Sequence, residues 1–197
     1  MRGKRMWHTL RLFTILSAAK RTQYIKKHNI FHSIGEDCLI MDRRIPLYAK
    51  LIAMGNNVRL ASGVHFLTHD ITHSMLNKVD ELVVERGGVK YPEKVGCIEI
   101  GNNVFIGSGT YIMYNVKIGS NVIVGACSLV NKDIPDNCVV AGVPARVIMT
   151  LDGYLEKRDK DEPLVSGIGG EAVTPEAEKY LWHKFGDERN NKVFYKF

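Results

Sequence analysis

From Ile100 onward the hydrophobic positions return in sixes. Ile100, Ile106, Ile112, Ile118, Val124 and Val130 are all aliphatic and β-branched. Four of them are followed by glycine, at Gly101, Gly107, Gly119 and Gly125. A companion phase, four residues later, holds Val104, Thr110, Val116, Val122, Ser128 and Ile134, small or β-branched throughout. A six-residue period cannot keep one side of a 3.6-residue helix facing a core. A plain strand alternates every second residue and puts no glycine at a fixed phase. The pattern predicts short strands joined by tight turns, with glycine relieving the corners. Three hexapeptides would make one triangular coil of about 18 residues, and stacked coils would pile like residues upon like.

The same grammar appears earlier, at Met54, Leu60 and Phe66, with Gly55 after the first and Val58 and Val64 in the companion phase. A weaker stretch runs from Ile34-Gly35 to Ile40, and the register slips by two residues around Pro46. About four coils, interrupted twice, are expected. The larger interruption, residues 69–97, contains Gly87-Gly88 and Pro92 and opens on Thr68, His69, Asp70, Thr72 and His73. A loop of that length in a compact domain is usually functional or disordered. His69 stands where a regular coil ends, well placed to face a ligand; His73 reads as a surface histidine in the loop.

Outside the repeats the period changes. Met6, Leu10, Phe13 and Leu16 recur at helical spacing and predict an amphipathic helix that partly buries this face. Thr174 followed by Pro175 reads as a helix cap and first turn, with the helix over 176–185. Between them lie a charge run over 156–162 and a glycine-rich linker over 167–170. Three segments follow: a basic helical leader over 1–30, a β-helix over 31–150 carrying the inserted loop 69–97, and a charged linker with a helix over 151–197.

Composition narrows the class. The 197 residues are 45% hydrophobic and 24% charged, the balance of a soluble globular chain. No apolar run approaches the ~20 residues of a membrane span. Cys38, Cys97, Cys127 and Cys138 form no C-x-x-C pair and read as small buried side chains in a reducing, cytoplasmic setting. The net charge of +6 is uneven, since no acidic residue precedes Glu36. The apolar stretch near the N-terminus looks like a signal peptide at a glance, but His8 and Arg11 interrupt it. Residues 1–27 are instead a candidate for peripheral membrane contact. No nucleic-acid motif accompanies them, and nucleic acid is not expected as a partner.

With these residues in view, the chain resembles the hexapeptide-repeat acyltransferases, in particular the maltose and galactoside O-acetyltransferases and the sugar O-acetyltransferases of capsule and lipopolysaccharide pathways. The resemblance covers about residues 30–148 and is most specific over IGNNVFIGSGTYIMYNVKIGSNVIVGACSLVNKDIPDNCVVAGVPARV, from Ile100 to Val147. It implies a left-handed parallel β-helix, mostly β with helices at both ends. It further implies a homotrimer with each site between two subunits, and acetyl-CoA as co-substrate. FLTHD, Phe66 to Asp70, looks like the family's catalytic motif and gives His69 the general-base role. By the same resemblance the Ser108 N–H faces the thioester carbonyl and Ala126 contacts the pantetheine arm. Asn131, Lys132 and the AGVPAR segment lie near the nucleotide end, with Lys132 and Arg146 pairing its phosphates. The chain departs from the family at Phe105, Asn131 and Cys127, where tryptophan, threonine and glycine are usual.

The implied reaction moves an acetyl group from acetyl-CoA to a hydroxyl of a sugar or polysaccharide precursor. Imidazole titrates near neutrality and suits removal of the hydroxyl proton. A backbone N–H on a rigid coil suits the oxyanion. Asp70 could orient the imidazole or meet the acceptor, and is placed with the substrate-binding residues. Cys97 as a nucleophile is the competing mechanism, but no histidine lies between His73 and His183 to activate it. A zinc-dependent carbonic anhydrase on the same fold would need histidines on the coils, and residues 100–147 contain none, so no metal is expected. An antibiotic-acetylating enzyme and a non-catalytic scaffold remain as alternatives.

Overall fold

The computed structural model describes residues 2–160, 166, 168–169 and 172–191. They fall into two compact units, residues 1–156 and 157–197.

The first unit is a stack of triangular coils. The first coil contributes β1 (Ser33–Ile34) and β2 (Leu39–Ile40), and the second β3 (Ile52–Met54), β4 (Val58–Leu60) and β5 (His65–Leu67). The third has β8 (Ile98–Ile100), β9 (Val104–Ile106) and β10 (Tyr111–Met113); the fourth has β11 (Val116–Ile118), β12 (Val122–Val124) and β13 (Leu129–Val130). Equivalent strands pair in parallel and build three sheets, β1-β3-β8-β11, β2-β4-β9-β12 and β5-β10-β13. The register stacks like on like: Met54 on Ile100 on Ile118, Val58 on Val104 on Val122, and Phe66 on Ile112 on Val130. Both phases of the six-residue pattern point inward, and every member from Ile100 to Ile134 is buried. A filled core one coil wide is what a chain of short strands can build without long loops.

The corners share out their work differently from the sequence reading. Glycine supplies the close approach: a Cβ on Gly107 would meet the Ala126 backbone nitrogen at 2.5 Å. The positive φ at the first corner of each coil is supplied by Asp37 in the first coil and by asparagine in the later ones, at Asn57, Asn103, Asn121 and Asn137. Asparagine tolerates the left-handed region because its short amide bonds locally. Here those amides also bond each other. Asn57 donates to Asn103 at 3.0 Å, Asn103 to Asn121 at 2.9 Å and Asn121 to Asn137 at 2.8 Å, a ladder running up one edge of the solenoid.

Both ends are covered. At the start, α1 (Arg2–Phe13) and α2 (Ala18–Lys27) precede the coils. The Ile40 N–H donates to Thr22 Oγ1 on α2, and the buried Arg21 guanidinium donates to the carbonyls of Ile15, Leu16 and Met41. At the far end β14 (Cys138–Ala141) begins a fifth coil, and β15 (Arg146–Thr150) folds back on it antiparallel, which closes that sheet edge.

Three expectations need correction. The leader helix forms, but Met6, Leu10, Phe13 and Leu16 face outward; Leu12 is buried and Ile15 packs on the core, because the opposite face meets the coil. Of the cysteines, Cys138 is buried and Cys38 half-buried, whereas Cys97 and Cys127 are exposed. Cys127 occupies a corner with φ of 56°, the left-handed position for which glycine is the natural choice. The glycine-rich linker is partly ordered: Ile168–Gly169 pairs antiparallel with Ala172–Val173, while Gly167 and Gly170 lie outside the described residues.

In the second unit α5 (Pro175–Asn191) extends past the expected end at Phe185. Thr174 Oγ1 accepts from the Ala177 N–H at 3.3 Å, the expected cap. Among the described residues no helix is long and apolar enough to cross a membrane.

Candidate active site

The inserted segment is ordered and has a neck. His69–Asp70 forms β6, which pairs antiparallel with β7 (Lys94–Val95), and the Gly96 N–H donates to the Thr68 carbonyl. Thr68 itself is buried and donates through Oγ1 to the Leu47 carbonyl at 2.7 Å. His69 is therefore held between a coil corner and a two-strand clasp. Beyond the clasp the segment folds as α3 (Thr72–Leu76) and α4 (Asp80–Glu85). Asn77 and Tyr91 exchange two hydrogen bonds, at 2.9 and 2.7 Å, and the Arg86 guanidinium lies over the Tyr91 ring. His73 sits half-buried in α3 rather than in a free loop.

His69 is half-buried, and its Nδ1 is shielded from solvent with no hydrogen-bond partner among the described residues. Two groups near it escaped the sequence reading. The Tyr48 ring stands edge-on to the imidazole, with centroids 5.2 Å apart. Tyr48 also adopts φ 52°, ψ 40°, an uncommon conformation for a residue with a bulky side chain. Its hydroxyl lies 3.2 Å from both carboxylate oxygens of Glu93, which pushes the phenol pKa up. No hydrophobic period marks Tyr48, because it lies in the bypass where the register slips.

Asp70 does not serve the imidazole. Its Oδ1 accepts from the Thr72 hydroxyl at 2.6 Å and the Thr72 N–H at 3.0 Å, and its Oδ2 accepts from the Tyr114 hydroxyl at 2.9 Å. These bonds, the Thr72 hydroxyl foremost, hold the carboxyl below its usual range. The second missed residue is Tyr114, whose pKa the Asp70 bond raises. Counting coils would have found it, since Leu67 pairs with Met113 and the next positions are Thr68 and Tyr114.

The remaining residues named from sequence divide between two corners. Ser108 and Ala126, both exposed, follow Gly107 and Gly125 on successive coils, just before the sheet β5-β10-β13. The N–H groups of Gly107, Gly109 and Cys127 are spent on backbone carbonyls; those of Ser108 and Ala126 are not among these donors. The Gly142–Ala145 stretch runs above, bonded to Leu129 at both ends. The second corner follows the same sheet. Asn131 and Lys132, exposed, stand there in register with Met113 and Tyr114, one coil above the Tyr114–Asp70 bond. Arg146 is exposed at the start of β15 and donates to the Ala145 carbonyl.

The structure thus joins His69, Asp70 and Lys132 along one edge and Ser108 and Ala126 along another. Ser108 is level with Ser62, through the bond from the Gly109 N–H to the Ser62 carbonyl. Strand β5 separates Ser62 from His69, a span of up to roughly 20 Å of extended chain. Among the described residues no hydrogen bond or ring contact joins His69, the general-base candidate, to Ser108, the oxyanion-donor candidate, within one chain.

Comparison with known proteins agrees with this architecture. The sequence pattern of the family described as bacterial transferase hexapeptide (six repeats) matches residues 98–132. Protein CapG of Staphylococcus aureus is 37% identical over 172 residues, covering 80% of this chain and 86% of that protein. Galactoside O-acetyltransferase of Escherichia coli (strain K12) is 41% identical over 102 residues, 51% of this chain and 45% of that enzyme. A solved structure of a galactoside acetyltransferase in complex with coenzyme A superposes with a TM-score of 0.52 at 27% identity, over 87% of this chain and 90% of that one. By its repeats, its parallel coils and its extended likeness to these proteins, the chain belongs to the bacterial hexapeptide-repeat transferases and is one of their acyltransferases.

Proposed function

We propose that this protein transfers the acetyl group of acetyl-CoA to a hydroxyl of a sugar or polysaccharide precursor, with His69 as general base. The observation that carries the reading is the pair of edges flanking one sheet: an imidazole with an unpartnered nitrogen on one, and free backbone N–H groups beside small residues on the other. His69 would take the proton as the hydroxyl oxygen attacks the thioester carbonyl carbon. The Ser108 N–H would stabilise the charge developing on the carbonyl oxygen. The carbon–sulfur bond then breaks, and the thiol leaves with a proton. Acetyl-CoA supplies the activated acyl group, so no covalent enzyme intermediate is needed.

The residues suit this co-substrate. Ser108 and Ala126 are exposed and carry side chains no larger than a hydroxymethyl group, which leaves room along that edge for a slot that takes the pantetheine arm. Exposed Lys132 and Arg146 supply cations for phosphates, with Asn131 beside them. Because the two edges are apart in one chain, we place the complete site between copies, in a homotrimer of left-handed coils. The slot of one copy would face His69 of its neighbour. Asp70, held by Thr72 and Tyr114, lines the acceptor side. We place this reaction, which draws on acetyl-CoA, in the cytoplasm.

The test is thiol release from acetyl-CoA across a panel of sugars, nucleotide sugars and chloramphenicol-like acceptors, for wild type and His69→Ala. Turnover with a saccharide, reduced at least about a hundredfold in the variant, is expected. Undiminished turnover would remove His69 from the role and bring Cys97 forward. Turnover only with chloramphenicol-like acceptors would replace the saccharide reading.

A further inference from the structure

We infer that α1 is a docking surface for an anionic lipid bilayer, lying flat on it through the stripe Met6, Leu10 and Phe13 with Trp7 at its margin. The helix buries the wrong face for an ordinary amphipathic element. Leu12 is fully buried, yet Met6 is 65% exposed, Trp7 58%, Leu10 60% and Phe13 53%. Positions 6, 10 and 13 fall on one side of a 3.6-residue helix, and Leu16 continues the exposed apolar surface just past its end. Scattered exposed apolar residues are normal, but a contiguous patch of this size on one helix marks an interaction site.

The charge around the stripe identifies the occupant. On the helical wheel Arg11 lies past Trp7 on one side of the stripe, Arg5 lies beyond Phe13 on the other and also donates to the Ile45 carbonyl, and Lys4 falls on the far side of the helix; all three are exposed. The adjoining α2 adds the exposed Lys20 and Lys27. No acidic residue occurs before Glu36. An apolar stripe with tryptophan at its edge, on a helix whose charged residues are all cations, matches a bilayer's hydrocarbon boundary rimmed by anionic headgroups. A second copy docking stripe to stripe would instead bring like charges face to face, and a ring neighbour covering the stripe with another surface would make the assembly depend on Leu10 and Phe13. The arrangement is independent of the transfer chemistry and would hold the solenoid at a surface while its coils stay in water.

The experiment uses the full chain and sucrose-loaded vesicles. Half the sets contain phosphatidylglycerol with phosphatidylcholine, and the others phosphatidylcholine alone. Sedimentation with the anionic vesicles at low salt is expected, falling at least tenfold in partition coefficient with neutral vesicles or in high salt. Leu10→Ser with Phe13→Ser should reduce it comparably, while circular dichroism and thiol release with a soluble acceptor stay at wild-type values. A Trp182→Phe background leaves Trp7 as the sole tryptophan, and its emission should shift to the blue with anionic vesicles only. Failure to sediment with anionic vesicles at low salt would overturn the proposal. So would binding that survives the double serine variant. A smaller assembly on light scattering of that variant would also overturn it, since a second copy would then cover the stripe.

Discussion

The ring of Tyr48 meets the imidazole of His69 edge-on, with centroids 5.2 Å apart and planes at 85°. The two residues come from different interruptions of the same solenoid: Tyr48 from the bypass that replaces part of a coil, His69 from the neck of the inserted segment. Glu93, on the returning limb of that segment, holds the Tyr48 hydroxyl. The contact therefore ties together the two places where the repeat fails.

If this contact fixes the imidazole for proton transfer, the ring matters more than the hydroxyl. Tyr48→Phe should keep kcat within about threefold of wild type. Tyr48→Gly, which adopts φ 52° without strain, should lower kcat by roughly tenfold with little change in KM for acetyl-CoA. Steady-state kinetics on both variants distinguishes this from a contact that only braces the loop, which would leave kcat unchanged in each.

Asp70 gives a prediction with a fixed sign. Its folded pKa lies below the ordinary carboxylate value, through the Thr72 hydroxyl first, then the Thr72 N–H and Tyr114. A group of this kind stabilises the fold above its unfolded pKa, near ~3.9, and that contribution is lost as pH falls through the lower folded value. Asp70→Asn should melt below wild type at pH 7, and the gap should close as pH is lowered past the carboxylate range. Thermal melts from pH 7 to about pH 2 read this directly. A gap independent of pH would show that the amide fails for reasons of shape alone.

The asparagine ladder should be a structural element with a measurable share of stability. Asn103 occupies a middle rung, accepting from Asn57 and donating to Asn121. Asn103→Ala loses two hydrogen bonds at about 1 kcal/mol each and adds about 1 kcal/mol of left-handed strain. Asn103→Gly loses the bonds but not the backbone freedom, so denaturant unfolding should rank it between wild type and alanine.

How much of this was legible follows from the period. Ile106 and Val124 announce the core because a six-residue repeat has one physical solution, and their stacking was readable by counting. His69 stands out as a candidate because a titratable residue lies where the count breaks. Tyr48 and Glu93 do not, since neither belongs to a period and they meet only through folding of two irregular segments. Met6, Leu10 and Phe13 show the opposite failure. Their helical spacing was plain, but periodicity says that a helix has an apolar face and not which solvent that face meets. Asn103 carried its own signal, following Gly101 and Asn102 as Asn57 follows Gly55 and Asn56, and was passed over because glycine was given the whole corner.

The division of site residues between two edges makes the sharpest prediction. His69→Ala removes the proposed base, and Ala126→Trp fills the proposed slot on the other edge; each alone should reduce thiol release at least about a hundredfold. If a working site needs His69 from one copy and the slot from the next, co-expressing the two variants restores it. A copy carrying Ala126→Trp still offers an intact His69, and a copy carrying His69→Ala still offers an intact slot. In a closed ring of randomly mixed copies about one site in four combines both intact halves, so roughly a quarter of wild-type activity should return. The measurement is thiol release by the co-purified mixture, with the variants purified separately as controls. Were the site contained in a single chain, every chain in the mixture would carry one lesion and none of the activity would come back.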